Sequence, residues 1–119
     1  MVTPTYTTPL ITVLSQTYPM PMSDVKITVI KKLSNADIHS RYAVRGIPAS
    51  CDTVEVGIEF VSRGMAIPPS FCSWAWADIQ RDVAHLATGG DVPWIRERGT
   101  MVSCCTDGLR PVVFKLERL

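Results

Sequence analysis

Two adjacent cysteines, Cys104 and Cys105, lie in the C-terminal stretch SCCTDGLRPVVFKLERL. Successive side chains of a strand point to opposite faces, so the two thiols should not converge on one ligand. We expect one to be buried in the core and the other to face the second side of the sheet. Packing is the simpler explanation of the pair, because free cysteine is among the most buried residue types. As catalytic groups, either would act as a proton donor rather than as a nucleophile, since no histidine is near in sequence.

The remaining cysteines, Cys51 and Cys72, add no metal-binding spacing. Zinc sites use pairs of the type C-x2–4-C, and the chain contains none. A site that included His39 or His85 could assemble only through tertiary folding. We therefore predict no bound metal.

A second group of reactive side chains recurs at helical spacing: Trp74, Asp78, Asp82 and His85. At this spacing they share one stripe of a helix. A carboxylate one turn from a histidine can orient the ring for general acid–base catalysis. A solvated helix face that includes Arg81 explains the same residues, and both interpretations stay open.

Trp74 and Trp76 cannot both point into the same core, because they lie two residues apart on the predicted helix. One indole should therefore line a cavity or an interface, together with Cys72. Arg110 follows a turn and could bind a carboxylate or an enolate through two parallel hydrogen bonds. It could equally pin the turn or pair with Asp107. We expect the reacting groups where the N-terminal half of the helix faces this turn, with Asp78, His85 and Arg110 as the candidates.

These residues need elements to position them. VKITVIKKL, from residue 25, alternates and predicts a strand with Val25, Ile27 and Val29 inward. SNADIHSRYA predicts a short helix capped by Ser34 or Asn35. RGIPASCD indicates a loop. VEVGIEF predicts a second strand, whose inward side chains are Val54, Val56, Ile58 and Phe60.

A longer helix is predicted over residues 71–88, ended by Gly89-Gly90. Its buried stripe would be Cys72, Trp76, Ile79, Val83 and Leu86. TMVSCC and PVVFKLERL then form a hairpin, in which Asp107-Gly108 supplies a turn that needs positive φ at glycine. The sum is an α+β fold: a small antiparallel or mixed sheet, one main helix packed on a face, and a C-terminal β-hairpin.

The 119 residues suit one domain with a single core. A formal net charge of +1 argues against nucleic acid, which calls for a dense basic face. No apolar run is long enough to span a bilayer, so no membrane is expected. The first basic residue is Lys26, so a signal peptide's charged region is missing, and we expect a cytoplasmic protein with reduced thiols.

Residues 1–22 carry no charge and differ in composition from the single α+β domain at 23–119. They form an N-terminal extension, either a flexible tail or a short strand at about 9–15 that adds to a sheet edge or a second subunit. The uncharged extension and the surplus tryptophan both favour a homodimer or a higher assembly.

FCSWAWADI, GGDVPW and GTMVSCCTDGLRPVVFKLER resemble the signature of a widespread, functionally uncharacterised family of small bacterial, archaeal and fungal proteins. The family's members are about as long as residues 24–119. The resemblance implies no mechanism. It points to a set of residues within these stretches: Cys72, Trp74, Trp76, Asp78, Cys104, Cys105, Asp107 and Arg110. The family pattern follows the loop cysteine with proline, whereas Asp52 follows Cys51 here, so a shared role of that loop does not follow.

Three functions remain open. The first is a cofactor-free lyase or isomerase that acts by acid–base chemistry on a small organic acid or a polyketide-like biosynthetic intermediate. A bound nucleotide is not expected, because the chain has no Rossmann or P-loop glycine pattern. The second is a thiol-based metal-binding or redox module. The third is a non-catalytic binding or oligomerisation domain.

Overall fold

The computed structural model describes residues 22–119, and the strand predicted at about residues 9–15 lies outside them. Within the described residues the chain forms four strands and two helices. In chain order these are β1 (Val25–Lys32), α1 (Ala36–Tyr42), β2 (Glu59–Ser62), α2 (Ser73–Ala87), β3 (Thr100–Cys104) and β4 (Val112–Arg118). The fold is α+β, as the sequence predicts.

The strands of residues 22–119 form one antiparallel sheet in the order β2-β1-β4-β3. β1 and β4 are its centre, and β2 and β3 are its edges. Because β2 and β3 lie at opposite edges, the chain between them must cross the sheet, and α2 makes this crossing over one face. That face and the inner side of α2 enclose the core.

Alternation in the central strands matches the prediction. Val25, Ile27 and Val29 of β1 are fully buried under α2. Their neighbours on β4 are Phe114 and Leu116, which are buried on the same face. The alternation ends at a bulge between Val29 and Lys31, and β1 continues from there in a shifted register.

The second predicted strand begins later than expected, so the strict alternation over residues 54–60 is wrong. The chain turns at residues 55–58, where the N–H of Ile58 donates to the carbonyl of Glu55 and Gly57 adopts a φ of +96°. Val56 is consequently 59% exposed. Only Val54 and Phe60 of the expected inward set pack against the core.

The hairpin of β3 and β4 is confirmed, with Cys104 opposite Val113. The expected positive φ at Gly108 is wrong, since Gly108 is not among the residues of the described chain with positive φ. The carboxylate of Asp107 accepts the N–H groups of Leu109 and Arg110 instead, at 3.0 and 3.3 Å. A side chain therefore organises a wider turn than the Asp-Gly step predicts.

The long helix forms two residues later than predicted and buries a different first turn. Cys72 precedes it as the N-cap residue and is exposed, so its expected place in the core is wrong. Ala75 takes that position, followed by Ile79, Val83 and Leu86. Because an N-cap residue lies outside the helical geometry, the helical spacing does not extend to it.

Candidate functional site

A cavity of about 430 Å³ opens at the N-terminal end of α2. It lies between this end of the helix, the β3–β4 connection and the loop at residues 51–54. Its floor is apolar, with Ala75, Val112 and Phe114, while Arg110 and Asp107 form part of its wall. This is the region where the sequence predicts the reacting groups.

Three of the four thiols line this one cavity: Cys51, Cys72 and Cys105. Cys105 is buried, and its sulfur accepts the N–H of Val112 at 3.3 Å. Cys51 lies 3.1 Å from the hydroxyl of Thr53. Cys104 is exposed on the opposite face of the sheet, as strand alternation requires. The sequence analysis did not place Cys51 in the site, because its loop reaches the cavity only through tertiary folding.

Arg110 is held between two carboxylates. Its Nε lies 3.5 Å from Asp107 Oδ2, and its Nη1 lies 3.8 Å from Asp52 Oδ1. Neither contact is a well-formed hydrogen bond, and the buried Nε has no hydrogen-bond partner among the described residues. Asp52 is largely exposed and can leave at little cost, so a ligand carboxylate could take its place on the guanidinium.

The two tryptophans near the helix start diverge. Trp74 is 68% exposed and lines the cavity. Trp76 packs against the core, with its ring edge-on to Phe71 at 6.1 Å between centroids. Trp74 therefore offers a large apolar surface to a molecule in the cavity.

Asp78 faces Thr106, the second residue after β3, and does not line the cavity. Its carboxylate accepts the backbone N–H of Thr106 at 2.8 Å and the hydroxyl of the same residue at 3.0 Å. One turn later, the buried carboxylate of Asp82 accepts the hydroxyl of Ser103 at 2.7 Å. Asp82 thus fastens α2 to β3, and Asp78 fastens it to the connection that follows β3. The sequence pattern indicated neither role.

His85 lies at the other end of α2. Its Nε2 is 2.9 Å from the carbonyl oxygen of Asp91, and a Cβ at Gly90 would collide with its ring. Arg110 and Asp78 lie near the N-terminal end, so the structure does not bring His85 to them.

Asp91 forms a polar cluster that sequence reasoning missed. Its carboxylate accepts the N–H of Gly99 and pairs with Arg118 and Arg98, each at 3.0 Å. The Gly99 hydrogen bond and, to a lesser extent, the two guanidinium groups hold the pKa of the Asp91 carboxyl below its ordinary value, against the opposing effect of burial. Arg118 also donates to the carbonyls of Leu86 and Gly90, so the cluster ties the end of α2 to the end of β4.

Within residues 22–119, no three His, Cys, Asp or Glu side chains are grouped so that they could hold a metal ion. Across the same span, none of the helices combines the length and the apolar character needed to cross a membrane. The chain matches no family model, no curated protein and no solved structure. The family resemblance of its motifs therefore stays a prediction.

Proposed function

We propose that this protein is a small cofactor-free lyase or isomerase that binds a small organic acid in the cavity at the start of α2. The observation that carries this proposal is the wall of that cavity, which Arg110 and the buried thiol of Cys105 both line, and where Arg110 is held only by two long contacts to Asp107 and Asp52. A guanidinium binds a carboxylate through two parallel hydrogen bonds, and its positive charge also attracts an enolate oxygen.

Arg110 would hold the anion. The carboxylate of the ligand would replace Asp52 and accept hydrogen bonds from the guanidinium. In a largely apolar enclosure this charge pair is stronger than in water, so negative charge that develops on an enolate oxygen is stabilised. Trp74 would cover the apolar part of the ligand, which favours a compact acid or a polyketide-like intermediate over a long chain.

Cys105 would carry the proton. Its sulfur accepts the N–H of Val112, so its own S–H remains available for an acceptor in the cavity. Protonation of a carbanion next to the carboxylate by this thiol, or the reverse step, is acid–base chemistry that needs no cofactor. Asp78 and His85 are not needed as the acid–base pair, because both have structural partners. We keep the cytoplasm as the proposed compartment, where these thiols stay reduced.

The first prediction concerns exchange of the ligand's C–H protons with solvent. The protein is incubated in D2O with a panel of short 2-oxo and 3-oxo acids, and deuterium in each acid is read by NMR. We expect incorporation into at least one acid above the uncatalysed rate. Arg110→Met should weaken binding of that acid at least tenfold, and Cys105→Ala should abolish exchange, since each removes one named role.

Two matched controls belong to this experiment. Arg81→Met removes an exposed guanidinium from α2, and Cys104→Ala removes the thiol on the opposite face. Both variants should catalyse deuterium incorporation into the acid at the wild-type rate. Exchange that survives in Arg110→Met and in Cys105→Ala would contradict the assignment, as would a panel in which no acid binds.

A thiol redox module is the second candidate, favoured by three thiols around one cavity. A peroxide would oxidise two of them to a disulfide, with loss of two hydrogens and release of water. Peptide mapping after peroxide treatment should then detect a disulfide between two of Cys51, Cys72 and Cys105, while Cys104 stays outside any disulfide. Equal, non-selective oxidation of the exposed Cys72 and Cys104 would exclude this candidate.

A further inference from the structure

We propose that the outer edge of β3 pairs with the same edge of a second copy of this chain, so that the two sheets continue across a twofold axis at Val102. No residue of the described span 22–119 pairs with this edge. The proposal rests on the direction of the backbone groups, on the composition of the edge and on the charges at its two ends.

Backbone register fixes which amides face outward. The N–H of Cys105 donates to Val112, and the N–H of Arg118 donates to Gly99. In an antiparallel ladder hydrogen-bonded pairs alternate, so the N–H groups of Met101 and Ser103 also face β4. The groups of Thr100, Val102 and Cys104 therefore point away from the sheet. Three outward amides centred on Val102 form a self-complementary row, since two copies in antiparallel orientation would exchange bonds symmetrically.

The edge lacks the features that keep strands apart. β3 has the sequence TMVSC, without a charge or a proline, whereas the other edge strand, β2, begins with Glu59 and is followed by Arg63. Charged or proline-bearing edges are the usual protection against pairing. Val102 is half-exposed on the uncovered face of this edge.

Charges at the two ends of β3 are complementary in this arrangement. Pairing centred on Val102 places Arg98 of one copy opposite Thr106 of the other. Thr106 is hydrogen-bonded to the carboxylate of Asp78, and Arg98 is largely exposed, although it also pairs with Asp91 of its own copy. The exposed guanidinium of each copy would thus approach the end of the partner strand that carries Asp78, twice per dimer.

The same arrangement fills a groove. A groove of about 340 Å³ beside the edge is lined by Trp74, Asp78 and Thr106. Trp94, which is 76% exposed, borders the adjoining groove, which runs along β3 from Met101 to Thr106. A twofold axis normal to the sheet keeps both α2 helices on one side and brings Trp94 of one copy towards the Trp74 groove of the other. The second copy would then reach the rim of the candidate cavity, to which Trp74 and Thr106 also belong.

Sedimentation equilibrium of the full chain from micromolar to millimolar concentration tests this pairing. We expect a monomer–dimer equilibrium in the wild type. Val102→Pro removes the central outward N–H, which an edge strand can lose without losing its own ladder, and should raise the dimer Kd roughly a hundredfold. Val61→Pro is the matched control, because the N–H of Val61 points outward from β2 at the other edge. It should dimerise like the wild type.

Amide exchange of wild-type Val102 keeps the test decisive if Val102→Pro does not fold. Protection of this amide that rises with protein concentration supports the proposal. A monomer at every concentration overturns it, and a protected Val102 in that monomer would mean that another part of the same chain, such as residues 1–21, covers the edge. Equal dimerisation of Val102→Pro and the wild type also overturns it.

Discussion

At the C-terminal end of α2, the carboxylate of Asp91 gathers a backbone N–H and two guanidinium groups. These partners lower its pKa in the folded state, so folding favours the charged form. The stabilisation is therefore complete above the ordinary pKa of 3.8 and disappears as the pH falls through the lower, folded-state pKa. Asp91→Asn should lower the Tm at pH 7, and the difference from the wild type should shrink below about pH 4. Thermal unfolding from pH 3 to pH 8 measures this, with Asp37→Asn, at an exposed carboxylate of α1, as the control. A constant difference between Asp91→Asn and the wild type across this range would show that the charge of Asp91 does not stabilise the fold.

At the scale of elements, the predictions succeeded where one face of an element is buried along its whole length. β1, β4 and most of α2 meet this condition, so their periodicity reports their burial. They failed at the turn before β2 and at the turn organised by Asp107, where local hydrogen bonds replace the regular pattern. They failed also at Cys72, which lies just before the helical geometry begins. The location of the candidate site followed from the helix and the hairpin together. The identity of the residues that form the site did not follow from the sequence. Cys51 and Asp52 enter the site from a distant loop, and Ser103 and Thr106 bind the two carboxylates of α2.

For the whole molecule, the core is one cluster shared by α2 and the central strands, and residues of this core line part of the cavity. Such an arrangement should unfold in a single transition, with α2 and the sheet melting together. Ile79→Ala empties a fully buried position between them and should cost about 2–5 kcal/mol of unfolding free energy. Ile58→Ala, at a side chain that is 42% exposed, should cost less, about 1 kcal/mol. Urea unfolding, followed by far-ultraviolet circular dichroism and by tryptophan fluorescence at one fixed concentration, measures both, since self-association would otherwise shift the midpoint. Two separated transitions, or equal costs for the two variants, would mean that α2 is not held by this core, and the cavity at its N-terminal end would then lack a fixed wall.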